Sequence, residues 1–186
     1  MPEALSTALT AEPFSPEGLI NILSEDKNLE CLFKLDAGVS EGYTIREHSI
    51  LVLSTAERFR NQIEKQLSPL HWPEFRLFLA LHDIGKGQAI SNHPSPASNK
   101  FKQKHHELLL SQAIISIYCQ KNQIPEKTKK IFLALLEKDT IGNLLQKKIS
   151  LEAAYEQIVH SSPFNLSHIN KFLDLMVAFH MVDAGS

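Results

Sequence analysis

The stretch Phe78-Leu79-Ala80-Leu81-His82-Asp83-Ile84-Gly85-Lys86-Gly87 places an imidazole and a carboxylate side by side where an apolar run gives way to glycine. One neutral nitrogen donor beside one anionic oxygen donor suits a transition metal better than the all-oxygen shells of calcium or magnesium. A single His-Asp doublet is only part of a ligand set. The other donors have to arrive from helices whose apolar faces turn towards this one.

His48 is one such donor. Thr44-Ile45-Arg46-Glu47 reads as a capping box, and from it the apolar positions Ile45, Val52, Ala56, Phe59 and Ile63 define a helix face that also carries His48. Asp183 is another, three residues after His180 and seven after Met176, on the apolar face of the last helix. An inward carboxylate with no partner costs about several kcal/mol or is protonated, so it asks for a cation or a hydrogen-bond network. His106 and Asp139 stand at the ends of two further helices as donors to a second metal or to substrate. Read singly, each inward histidine is more often a hydrogen-bonded core residue than a ligand, and Asp139 reads equally as a helix end; their joint occurrence around the doublet favours the metal.

The elements that must position these residues are helical. Residues 1 to about 15 read as loose. Ser15-Pro16-Glu17 opens a short helix, the segment from Leu29 to Val39 is ambiguous, and a helix follows from Thr44. The next runs from about Trp72 to Asp83, with Gly85 suited to a left-handed cap. Gly87 to about Gln103 reads as one long polar loop, in which Lys100, Lys102 and Lys104 form a basic edge able to attract phosphate. Helices are then expected over His106 to about Lys121, from Pro125-Glu126 towards Asp139, from Ser150 to about His160, and, after the break at Ser161-Ser162-Pro163, over a last stretch that carries Ile169, Phe172, Leu173, Met176, Phe179 and His180 with Asp183 on the same face. No period-2 strand pattern and no repeat is visible, which makes the fold class all-α, a single-domain helical bundle.

Bulk properties narrow the function. With 186 residues, 43% hydrophobic and 22% charged, the chain can bury a full core. A formal net charge of -2 and a pI of about 6.5 give no field for nucleic acid or an anionic membrane. Cys31 and Cys119 lie in no C-x-x-C pair, which suits a reducing compartment. There is no basic n-region before an apolar run and no stretch of about 18 uninterrupted apolar residues. The expected setting is cytoplasmic, without membrane or nucleic-acid partners, and the composition is compatible with a homo-oligomer.

Taken together, Glu47-His48-Ser49, Leu81-His82-Asp83-Ile84-Gly85-Lys86, His106-Glu107 and Val182-Asp183-Ala184 resemble the HD-domain metal-dependent phosphohydrolase superfamily. The resemblance covers residues 44 to 186 and leaves 1 to 43 as an N-terminal segment with a short helix. It implies an all-helical domain of HD type with four metal ligands, which fall on His48, His82, Asp83 and Asp183, and Asp139 competes for the last place. Two-metal members carry a histidine similar to His106. The absence of a His-His pair near residue 139 and of a Gly-Tyr-Pro signature departs from the cyclic-dinucleotide hydrolases, and Gly85-Lys86 replaces the Glu-Asp dipeptide of the alarmone hydrolases.

The expected function is metal-dependent hydrolysis of a nucleotide or other phosphate ester. A divalent transition metal, Mn, Fe, Co, Ni or Zn, would activate water for attack on phosphorus. Asp83 would be the orienting carboxylate, and Lys86 would neutralise charge on the phosphoryl group. The competing expectation is a non-catalytic HD-type scaffold that binds a nucleotide or a protein, with a structural metal or none.

Overall fold

A computed structural model describes residues 1–38, 41–92 and 100–185, the side chains of residues 100 and 101 excepted. The chain forms α1 (Glu3–Thr10), α2 (Pro16–Leu23), α3 (Lys27–Phe33), α4 (Ile45–Ile63), α5 (Trp72–Leu81), α6 (Lys86–Asn92), α7 (Lys100–Lys121), α8 (Glu126–Glu137), α9 (Thr140–Leu145), α10 (Leu151–Ser161) and α11 (Ile169–Asp183). It is a single all-α bundle; among the described residues the only β pairing is an isolated bridge between Asp36 and Thr44. None of its described helices is long and apolar enough to cross a membrane.

The helix starts follow from capping chemistry. Ser15 accepts from the Gly18 amide, Asp26 from the Asn28 amide and Ser150 from the Ala153 amide. At α4 both arms of the capping box are made, Thr44 accepting from the Glu47 amide and Glu47 from the Thr44 amide. These bonds satisfy amides that the first helical turn leaves without partners.

Helix α5 is the axis of the bundle. Trp72 and every residue from Phe75 to Leu81 are buried, so the helix is enclosed on all sides. Phe78 meets Phe132 of α8 and Phe179 of α11, with ring centroids 5.4 and 4.9 Å away. Helices α4 and α1 pack along α5, α11 packs on α4, and α7 joins α6 to α8.

Four readings of the sequence are corrected. Residues 1 to 15 are not loose: α1 buries Leu5 and Leu9 in the common core, and about 1.5–3 kcal/mol for each buried leucine helps order the segment. Arg76, 1% exposed, fastens it by donating to the Leu9 carbonyl at 2.7 Å and to both Glu57 carboxylate oxygens at 2.7 and 2.9 Å. The expected loop from Gly87 to Gln103 holds α6 and the first turn of α7; the part from 93 to 99 lies outside the described residues. Gly85 is not a left-handed cap, since only Gly38 and Gly42 have positive φ among the described glycines. Its role is steric: a Cβ there would lie 2.5 Å from the Ser111 backbone nitrogen, so glycine lets α7 approach the turn after α5. Finally, Asp139 does not close α8 but opens α9, accepting from the Gly142 amide at 2.9 Å.

Candidate metal centre

Three helix ends converge on one point. His48 lies in the second turn of α4, His82 caps the C-terminus of α5 with Asp83 following it, and Asp183 is the last residue of α11. The C-terminal ends of α5 and α11 carry partial negative charge, which favours a cation between them. Val182, fully buried, seats the end of α11, and Ser49 donates to the Ala80 carbonyl at 3.4 Å, tying α4 to α5 beside the site.

The donor atoms face one another. His82 Nε2 lies 3.2 Å from Asp183 Oδ1 and 3.7 Å from Asp83 Oδ1; His48 Nε2 lies 3.4 Å from Asp83 Oδ2 and 3.7 Å from Asp183 Oδ1. Donors about 2.1 Å from a common cation are about 3.0 Å apart in octahedral and about 3.4 Å apart in tetrahedral coordination. The observed edges are close to these lengths. Among the described residues His48, His82 and Asp83 form a group whose ligand atoms all lie within 4.8 Å of one another and could hold a metal ion, and Asp183 adds a fourth donor.

Hydrogen bonding fixes which atoms would bind. His82 Nδ1 donates to the Leu79 carbonyl at 2.8 Å, an acceptor only, so this nitrogen carries a proton. Its Nε2 then faces a carboxylate. Neutral, that nitrogen would set a lone pair against an anionic oxygen, and the contact is favourable only with a proton or a metal cation between the two. The fit of the donors to a metal rests on this arrangement.

Electrostatics give the same dichotomy. Burial pulls the His82 pKa down, but the Asp83 charge and the Asp183 contact outweigh it and leave it at about 9. His48 is raised by Asp183 first and Asp83 second. Burial pushes Asp83 and Asp183 upward; the facing imidazoles outweigh it and hold both well below the usual carboxylate range. Without metal, a protonated His82 stands against two carboxylates, and a divalent cation would replace that proton between the same donors.

The cluster opens onto a cavity of about 610 Å³, lined by His82, Asp83 and Asp183 at one end and by residues of α7, α8, α9 and α11 elsewhere. Its lining mixes apolar side chains, among them Leu135, Met176 and Phe179, with polar ones, among them Asn143, Gln146 and Lys148.

The remaining predicted residues are distributed unevenly. Lys86 donates to Asp83 Oδ2 at 3.0 Å and is absent from the cavity lining; Asp83 outweighs burial to raise its pKa. Lys104 lines the cavity and Lys102, exposed, does not, while the Lys100 side chain lies outside the described residues. Asp139 lines the cavity as the cap of α9, whereas His106 is not among the lining residues and its neighbours His105 and Glu107 are. Burial and the Asp83 charge push Glu107 up to about 7.

Glu107 entered the sequence reading only as the neighbour of His106, and His105, Asn143, Gln146, Lys148 and His180 were not named as site residues. Tertiary packing brings Glu107 to the cavity: Ser111 is buried and accepts from the Gly85 amide at 3.1 Å, and Glu107 lies one turn before it on α7. The two free thiols, exposed Cys31 and buried Cys119, take no part.

Comparison with protein-family models, with curated proteins and with solved structures finds no match for the chain.

Proposed function

We propose that the protein is an HD-type phosphohydrolase that holds a divalent transition metal through His48, His82, Asp83 and Asp183 and cleaves a phosphate ester in the adjoining cavity, a nucleotide being the substrate class the resemblance favours. The observation that carries this reading is the donor cluster at the end of a cavity of about 610 Å³, within the range of small-molecule sites. A site serving structure alone would be closed by its ligands, whereas this one is accessible from the side of Asp83 and Asp183.

Bound there, a divalent ion supplies Lewis acidity that activates water and polarises a phosphoryl oxygen. The protein's residues do the positioning. Lys86 holds the Asp83 carboxylate in the orientation that faces His48 and His82. Phe78 and Phe179 flank the His82 ring, with centroids 6.4 and 5.5 Å away, and limit its rotation. Lys104, in the cavity lining, offers a cation to the phosphate, and Leu135, Met176 and Phe179 supply apolar surface to the same lining.

The test is hydrolysis of a panel of nucleotides and simple phosphate esters with added manganese, comparing the wild type with Asp83→Asn. Activity that needs manganese and falls at least about 100-fold in the variant supports the reading. Metal retention with no hydrolysis across the panel would favour the scaffold instead.

A further inference from the structure

His180 occupies a position in this cavity that metal binding does not explain. It lies three residues before Asp183 on α11, so its ring is on the same side of the helix and about 4.5 Å back along the axis, and both residues line the cavity. Its side chain is 23% exposed. Its Nδ1 faces Asp139 Oδ1 at 3.5 Å.

Asp139 is itself held in place. The Gly142 amide donates to the same Oδ1 at 2.9 Å, and a Cβ at residue 142 would collide with the Asp139 carboxylate, so the absence of a side chain there makes room for it. A carboxylate fixed by the start of α9 therefore faces one nitrogen of the His180 ring. The other nitrogen, Nε2, is left for a group in the cavity. An imidazole oriented by a carboxylate and set about one helical turn from the reacting centre has the geometry of a proton donor or acceptor.

We propose that His180, positioned by Asp139, is a catalytic residue that delivers a proton from Nε2 to the leaving oxygen of the phosphate ester. This rests on the phosphohydrolase reading above. In the step, a water oxygen forms a bond to phosphorus and the bond from phosphorus to the leaving oxygen breaks. The leaving oxygen keeps that electron pair and takes the Nε2 proton, the water's proton passes to solvent, and the imidazole is reprotonated from solvent. The products are an alcohol and inorganic phosphate. Such assistance matters for alkoxide leaving groups and little for a nitrophenolate, which departs readily without a proton.

The experiment compares wild type, His180→Ala and Asp139→Asn, with manganese, on ethyl phosphate and on p-nitrophenyl phosphate. Loss of a general acid is worth about 10²–10⁴-fold. His180→Ala should lose at least about 100-fold in kcat on ethyl phosphate and less than about fivefold on p-nitrophenyl phosphate, with Asp139→Asn showing the same bias more weakly. A second readout does not depend on turnover: inorganic phosphate added to the wild type loaded with diamagnetic zinc in place of manganese should move the His180 ring ¹⁵N resonances. Equal losses on both substrates, or ring resonances that do not respond to phosphate, overturn the assignment and leave His180 a packing residue. If the wild type hydrolyses neither these esters nor any nucleotide of the panel while phosphate still moves the ring, the phosphohydrolase reading fails and His180 is a binding residue, not a catalytic one.

Discussion

His82 Nε2 and Asp183 Oδ1 stand 3.2 Å apart although 101 positions separate the residues in the chain. Without metal the contact is favourable while His82 is protonated, and its pKa of about 9 lies above the ordinary value of 6.5. A folded-state pKa raised in this way contributes stability that is fully present below about 6.5 and is lost as pH rises through about 9. The melting temperature of the chelator-treated protein should therefore fall between pH 7 and 9. Metal competes with the same protons, so the stabilisation from added manganese should grow over that interval. Thermal melts across the range with chelator or manganese check both slopes, and a manganese effect that shrinks with rising pH would oppose the account.

The close approach at Gly85 gives a paired comparison. In Gly85→Ala the new Cβ would lie 2.5 Å from the Ser111 nitrogen and 2.8 Å from Leu110 Cβ, and the buried bond from the Gly85 amide to Ser111 would be strained. Overpacking of this kind costs about 1–3 kcal/mol. Because the displaced turn carries Asp83, manganese affinity should fall as well. Gly42→Ala, at a φ of 76° with nothing within 4 Å, should cost only about 1 kcal/mol of backbone strain and leave affinity unchanged. Urea denaturation and metal titration of the two variants distinguish these outcomes.

Arg76 makes the N-terminal helix part of the domain. Replacing it by methionine leaves the Leu9 carbonyl without this donor and the Glu57 carboxylate with the Trp72 indole N–H but no guanidinium, at a cost of about 3 kcal/mol. Hydrogen exchange in α1 should accelerate more than in α8. Uniform loss of protection across the two helices would mean that α1 is not specifically held by this contact.

Lys102 and Lys104, both in the first turns of α7, differ in what they face. Lys104→Ala should raise KM by about two- to fivefold, the scale of one exposed charge contact, because this side chain lines the cavity. Lys102→Ala, pointing to solvent, should leave KM unchanged. Equal effects from the two would argue for a diffuse basic field in place of a directed contact.

What the sequence displayed was chemistry that lies along helix faces. The capping box at Thr44 and Glu47 fixed the start of α4 and so the facing of His48, and apolar spacing on α11 turned Asp183 inward. These are local, periodic signals. The face of α7 was harder to read: Leu109 and Ile117 look like core positions but are 50% and 66% exposed, and the buried row is Ser111, Ile115 and Cys119. Glu107 and Lys104 follow that second row to the cavity. Tertiary approach through Gly85, with no hydrophobic periodicity to announce it, selected the face. The same cause hid α6, where Gly87 lets the helix close against Leu35 and Asp36, and α1, which is short and held by a buried arginine far along the chain.

The most direct test of the central claim is the metal content of the purified protein after incubation with manganese and removal of excess ion, read by elemental analysis for the wild type and for His82→Ala. About one equivalent per chain is expected in the wild type and loss of nearly all of it in the variant, with both proteins folded by circular dichroism. A wild type that retains no manganese, zinc, iron, cobalt or nickel, or a variant that retains as much as the wild type, would contradict it.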